Sequence, residues 1–165
     1  MPERVAVCPG TYDPVTVGHL DIIERTAEVF DRVVVGVVRA PRHKQTLFPL
    51  EERIRFIEES LGGRDTVTVA GFSNLVVDFA REHGARAIVK GLRAVSDFEW
   101  ELQMNQLNRG LAPEIETLYM MSSPKYSFLS SRGVREIASF GGPVAEYVPE
   151  QVARRLAEMQ ASGAI

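Results

Sequence analysis

The chain has 165 residues, 45% of them hydrophobic and 25% charged, with a formal net charge of -3. That length suits one well-cored domain spanning 1–165, and the acidic balance excludes a basic phosphate-backbone binder, so nucleic acid is not an expected partner. A single cysteine offers no internal disulfide, no run has the length and purity of a membrane span, and the N-terminus lacks a secretory pattern, so the expected setting is cytoplasmic, with no membrane partner.

Runs rich in Val and Ile alternate with helix-period segments, and turn residues mark nearly every junction. The first strand is predicted over 4–8, with Cys8 as a small buried filler at its end. A helix over 18–30 follows, carrying Leu20, Ile23, Ala27 and Phe30 on one stripe. Strand 31–38 contains "RVVVGVV", apolar on successive residues, which is the pattern of a strand covered on both faces. Helix 50–61 has Leu50, Ile54, Ile57 and Leu61 on one side and is stopped by Gly62. Beyond it come strand 66–70, helix 74–82, strand 87–90, helix 97–109, strand 117–121 and helices 130–140 and 149–160. The predicted fold class is α/β, a doubly wound layer with five parallel strands. Such sheets bind ligands beyond the carboxyl ends of the strands, so chemistry is expected in 9–17, 39–49, 71–75, 91–96 and 122–129.

Helix 97–109 differs from the others. Phe98 and Leu102 fall on one side, while Trp100, Met104, Leu107 and the following Leu111 form a stripe nearly opposite. Two apolar faces need two apolar partners: either the helix is unusually central in the core or, the preferred expectation in so short a chain, one face packs on another subunit.

The segment "CPGTYDPVTVGHLDII" joins the first strand to the first helix. Pro9, Gly10, Asp13 and Pro14 predict a tight loop, Thr16 can cap the helix, and His19 then lies in its first turn. Free N–H groups and the positive helix end attract anions there, and Gly18 lets a phosphate approach the backbone. The same field should lower the pKa of His19 and keep its imidazole neutral. "VKGLR" puts Lys90 and Arg93 at the exit of the fourth strand, and "YSFLSS" offers hydroxyls and N–H groups just before a helix. Arg132 and Arg135 are either further cations for this site or solvated helical charges. Neither a P-loop nor a G-x-G-x-x-G fingerprint is present. The three histidines are scattered and there is no cysteine framework, so no protein metal site is expected.

"T-x-G-H" resembles the (H/T)xGH signature of the nucleotidyltransferases, and "FLSSRGVRE" at 128–136 resembles their ISSTxxR element, with Leu129 for Ile and Arg132 for Thr. The blocks "PGTYDPVTVGHLDII", "LEER", "VKGLRAVSDFEWELQMNQLNR" and "YSFLSSRGVREIA" are similar to those of the bacterial phosphopantetheine adenylyltransferases. The resemblance implies a Rossmann-like nucleotidyltransferase fold and transfer of AMP from Mg-ATP to 4'-phosphopantetheine, without a covalent enzyme intermediate. It further implies a homohexamer, Mg²⁺ as cofactor carried on ATP, and coenzyme A as a feedback ligand. By motif position, the implied catalytic residues are His19, Lys44 and Arg93, with His43 the neighbouring alternative to Lys44. ATP would be held by Thr11, Tyr12, His19, Gly91, Leu92, Arg93, Glu101 and the loop Tyr126, Ser127, Phe128, Leu129, Ser130, Ser131 and Arg132. Phosphopantetheine would be held by Thr11, Lys44, Val76 and Lys90.

Overall fold

The computed structural model describes residues 2–40 and 45–165. Lys44 and His43 lie outside the described residues. Five strands, β1 (Val5–Gly10), β2 (Arg32–Val38), β3 (Val67–Phe72), β4 (Ala87–Leu92) and β5 (Glu116–Met121), form one parallel sheet in the order β3-β2-β1-β4-β5. The helices are α1 (Val17–Val29), α2 (Leu50–Leu61), α3 (Val76–Glu82), α4 (Val95–Leu111), α5 (Ser131–Ser139) and α6 (Glu150–Ala161). This is the doubly wound α/β architecture expected from the alternating pattern.

Successive residues of β2 explain why its Val run is uninterrupted. Val33, Val35 and Val37 point into a core shared with α1, α2, α5 and α6, through Ile23, Phe56, Ile57, Val134 and Leu156. Val34 points to the other face, where Val77, Phe79 and Ala80 of α3 and Ile115 complete a second core. Both cores need the strand apolar at every position. At Gly36 an added Cβ would come within 2.7 Å of the Phe79 ring, so the missing side chain lets the stacked Phe72 and Phe79 rings lie on the sheet. Gly62 closes α2 in the left-handed conformation (φ 62°) that the stop signal required.

Two strands run further than expected. β1 continues through Pro9 and Gly10, which pair with Gly36 and Val37 of β2, and β4 continues through Gly91 and Leu92, which pair with Met120 and Met121 of β5. Pro9 and Gly10 are therefore strand residues, not loop. Pro9 is tolerated because it lies past the last β1–β4 pair, on a side where no ladder needs its N–H. α3 begins at Val76, later than expected, because Asn74 bonds the far end of that helix instead (Nδ2 to Glu82 Oε1, 2.8 Å).

β1 and β4 stay paired over only Ala6–Ala87 and Val7–Ile88, whereas β1 and β2 pair over six residues. The chain winds one way from β1 to β3 and the other way from β4 to β5, so the sheet parts at this switch point. Cys8 lies at the parting, 1% exposed, and burial pushes its thiol pKa up to about 12. The native protein is accordingly expected to resist an aromatic disulfide reagent at pH 8, with modification only as fast as unfolding. Rapid stoichiometric labelling of folded protein would contradict this.

α4 contributes only Asn108 to the interior. Phe98, Trp100, Leu102, Leu107 and Leu111 are all exposed, so neither of its apolar stripes is fully covered by the other described residues. Among the described residues no helix is long and apolar enough to cross a membrane.

Candidate active site

The parting between β1 and β4 opens into a cavity of about 930 Å³. It is lined by the exits of both strands, the first turns of α4, and the segment from Ser122 into α5. Of the residues singled out from the sequence, Thr11, Tyr12, His19, Lys90, Gly91, Arg93 and Glu101 line it, as do Tyr126, Leu129, Ser130, Ser131 and Arg132. Leu92, Ser127, Phe128 and Val76 do not; Phe128 is exposed and meets the Tyr147 ring edge-on, and Val76 begins α3 beside β3.

His19 is held by the cap it belongs to. The Thr16 hydroxyl accepts from His19 N–H (3.3 Å), and His19 Nδ1 accepts from Thr16 N–H (3.0 Å), a reciprocal capping box in which His stands where Glu or Gln is usual. An Nδ1 that accepts cannot carry a proton, so a neutral ring carries its proton on Nε2 and donates from there. Burial, and secondarily the Arg93 charge, lower its pKa from 6.5 to about 4. The direction agrees with the sequence reading; the main cause is desolvation, not the helix field. The Tyr12 ring meets the imidazole edge-on at 5.1 Å between centroids. A Cβ on Gly18 would meet Tyr126 Cβ at 3.4 Å, an ordinary van der Waals contact, so the second loop packs against this turn without itself requiring glycine there.

The unfolded chain takes up a proton on His19 near pH 6.5 and the folded chain only near 4. Between those values the unfolded state binds more protons, so stability falls as pH falls, by up to about 1.4 kcal/mol per unit from this group. Urea unfolding at pH 4.5 and 6.5 should therefore show a weaker acid loss in His19→Gln than in the parent. Equal slopes would exclude His19 as the source.

The cations of the cavity come with partners. Lys90 Nζ lies 2.9 Å from Glu101 Oε2, and Arg93 bridges Asp97 (3.3 Å) while donating from Nη1 to the Leu129 carbonyl (2.8 Å). Arg135 donates to the Asp13 carbonyl and lies 3.3 Å from Asp13 Oδ2. Arg132 has no carboxylate partner among the described residues. Lys90 and Arg93 are therefore paired, not bare. Strand exits place the cations in the crevice, and the following helix returns a carboxylate to each of Lys90 and Arg93. An incoming anion must compete with those carboxylates. Tyr119 fixes the pair's geometry, donating from its hydroxyl to the Glu101 carbonyl at 2.9 Å.

No three His, Cys, Asp or Glu side chains cluster for a metal among the described residues, and the carboxylates of Asp13, Asp97 and Glu101 are each engaged by a cation.

Two residues that hold the site together were missed. Asp13, read as a turn residue, is 3% exposed and accepts from Leu47 N–H (2.7 Å), Phe48 N–H (2.9 Å) and Arg135. Ser131 adds a second tie, donating to the Pro14 carbonyl at 2.7 Å, so the loop after β1 and the start of α5 are joined directly. Arg53 is 1% exposed and donates to four carbonyls: Phe48 (3.0 Å), Thr11 (2.8 Å), Val38 (2.8 Å) and Arg39 (2.9 Å). Its signal was a charge on the stripe of α2 that carries Leu50 and Ile57, where a cation is retained only with full partnering.

The cytidylyltransferase-like family model matches residues 7–137. The chain is 54% identical over 153 residues to a phosphopantetheine adenylyltransferase of Moorella thermoacetica, covering 93% of this chain and 95% of that one. It is 52% identical over 154 residues to a protein of the same name from Heliobacterium modesticaldum, covering 93% and 91%. A third, from Alkaliphilus metalliredigens, is 48% identical over 155 residues, covering 94% and 98%. Among solved structures, a bifunctional NMN adenylyltransferase/ADP ribose pyrophosphatase from Francisella tularensis, complexed with AMP and a manganese ion, superposes with a TM-score of 0.69 at 17% identity. The match covers 97% of this chain but spans about half of that one (50%), and at this identity it speaks for the fold. With near-full coverage at about half identity, and both nucleotidyltransferase signatures on one cavity, this chain belongs to the phosphopantetheine adenylyltransferase family, enzymes of the nucleotidyltransferase class.

Proposed function

We propose that this chain, as one nucleotidyltransferase domain, transfers the adenylyl group of Mg-ATP to 4'-phosphopantetheine, giving dephospho-coenzyme A and pyrophosphate. An oxygen of the acceptor phosphate attacks the α-phosphorus in line, the bond from that phosphorus to the bridging oxygen of the β-phosphate breaks, and pyrophosphate leaves. No enzyme nucleophile is involved. The observation that carries this reading is the His19 ring, set by its cap to donate from Nε2 in the helix first turn and lining the crevice. That donor suits the charge that builds on the α-phosphate oxygens as two anions are brought together.

Thr11, the Tyr12 backbone and Gly91 to Arg93 would hold ATP with His19. Glu101 and the loop from Tyr126 to Arg132 complete that set, of which Leu92, Ser127 and Phe128 do not line the cavity. Lys90 and Lys44 would meet the acceptor, with Thr11 shared. Val76 lies outside the cavity, so its contact requires the pantetheine arm to extend past the exit of β3. Mg²⁺ enters as part of the Mg-ATP substrate, bound by phosphates and water, which agrees with cavity carboxylates already matched to cations. The uncovered stripes of α4 support assembly with copies of this chain, as a homohexamer. A cytoplasmic setting and coenzyme A as feedback ligand belong to the same reading.

Incubation with Mg-ATP and 4'-phosphopantetheine tests it. Pyrophosphate and dephospho-coenzyme A should appear in equal amounts, and nicotinamide mononucleotide or glycerol phosphate should neither replace the acceptor nor compete with it. Pyrophosphate release with either of those acceptors alone would overturn the substrate assignment.

A further inference from the structure

Arg53 is the largest fully buried side chain of the described residues, and it does not line the cavity. It reaches the back of the site instead. One of its four carbonyl partners, Thr11 O, belongs to the peptide that joins Thr11 to Tyr12, both of which do line the cavity. In a trans peptide the C=O and N–H point in opposite directions. A carbonyl drawn inward by Arg53 therefore turns the Tyr12 N–H outward, away from the guanidinium. That N–H has no acceptor among the described residues. Tyr12 adopts a positive φ of 51°, uncommon for a residue with a side chain, and its hydroxyl donates to the Cys8 carbonyl at 2.9 Å, which pins the ring behind the loop. The loop thus presents a backbone donor that has no acceptor among the described residues, in a conformation maintained from beneath.

The other bonds of Arg53 bear on the same peptide. Val38 O and Arg39 O belong to the exit of β2, and Phe48 O to the residue whose N–H is held by Asp13. Because the guanidinium is planar and its donors are fixed in a fork, these three carbonyls leave one direction for Nη1 to meet Thr11 O. A lysine in the same place has one nitrogen and three donors and cannot span the four acceptors.

Resting on the adenylyl-transfer reading, we infer that Arg53 is a positioning residue for nucleotide phosphates: it orients the Thr11–Tyr12 peptide so that the Tyr12 N–H donates to a phosphate oxygen of ATP. Arg53 acts through the peptide and never touches ligand.

Arg53→Lys tests it, read with the single tryptophan, Trp100, whose side chain lines the cavity and whose fluorescence reports occupancy. The dissociation constant for ATP is expected to rise at least tenfold and kcat/KM for ATP to fall at least as far, while adenosine, which has no phosphate, binds within threefold of the parent. Phe79→Leu, in the core on the opposite face, is the control for general loss of packing and should leave ATP and adenosine binding unchanged. Arg53→Lys matching the parent for ATP within twofold, or losing ATP and adenosine in equal proportion, overturns the inference. In the unaltered protein, the Tyr12 amide resonance should shift on adding ATP and remain in place on adding adenosine. Where Arg53→Lys does not fold, this measurement decides, and a Tyr12 amide indifferent to ATP overturns the inference. A parent that makes no dephospho-coenzyme A defeats the reaction reading; a parent that turns over with an equally active Arg53→Lys defeats only the role of Arg53.

Discussion

Replacing His19 with alanine is expected to lower kcat about a hundredfold while the dissociation constant for ATP changes by less than about fivefold. The estimate follows from loss of one preorganised donor to developing oxyanion charge, about 3 kcal/mol. The interaction is worth more in the transition state than in the ground state, because the charge it meets grows as the acceptor approaches the α-phosphorus. The same substitution removes the acceptor for the Thr16 N–H, which costs about 1 kcal/mol of helix capping. Stability and turnover must therefore be measured together, by urea unfolding and by single-turnover pyrophosphate release on folded protein. A kcat within threefold of the parent would remove His19 from the chemistry and leave it the part of a cap.

The second large effect falls on stability. Asp13→Ala is expected to cost about 3 kcal/mol, because it removes a carboxylate that is 3% exposed and leaves the Leu47 and buried Phe48 amides without their acceptor, while Arg135, about a third exposed, can still turn to water. For a chain of this size that amounts to a drop in Tm of about 10 °C. Asp13→Asn keeps one acceptor oxygen and should lose about half as much. Thermal unfolding of the two variants checks the order as well as the size. A loss below about 1 kcal/mol in the alanine variant would mean that the loop after β1 is fixed by Ser131 and Arg53 alone.

What could be read from the sequence was whatever depends on neighbours along the chain. Val33 to Val37 declared a strand covered on both faces because each successive residue is apolar, and His19 could be placed because a cap is a local motif. The ends of β1 and β4 were read short, since Pro9 and Gly91 look like interruptions; they are strand residues paired on one side, with β2 and β5, and facing the gap on the other. Pairings across a crossover were out of reach. Lys90 and Glu101 meet only because the turn after β4 brings α4 back over the strand exit, and Asp13 meets Arg135 only because α5 docks on the first loop. Arg53 shows the limit most plainly. Its position on the apolar stripe of α2 was visible, whereas its four carbonyl partners come from three separate stretches of backbone.

The short β1–β4 ladder has a consequence for how such an enzyme can change over generations. Its binding space is a seam left open by the winding of the sheet, so its floor is main chain common to every variant that keeps the topology. Apart from His19 on α1, Lys90 on β4 and the start of α5, many of the side chains that line it are borne by connecting segments and by α4, which adds only Asn108 to the interior. Acceptor preference is therefore free to drift through those segments at small thermodynamic penalty, while the seam persists as an inherited address for nucleotides.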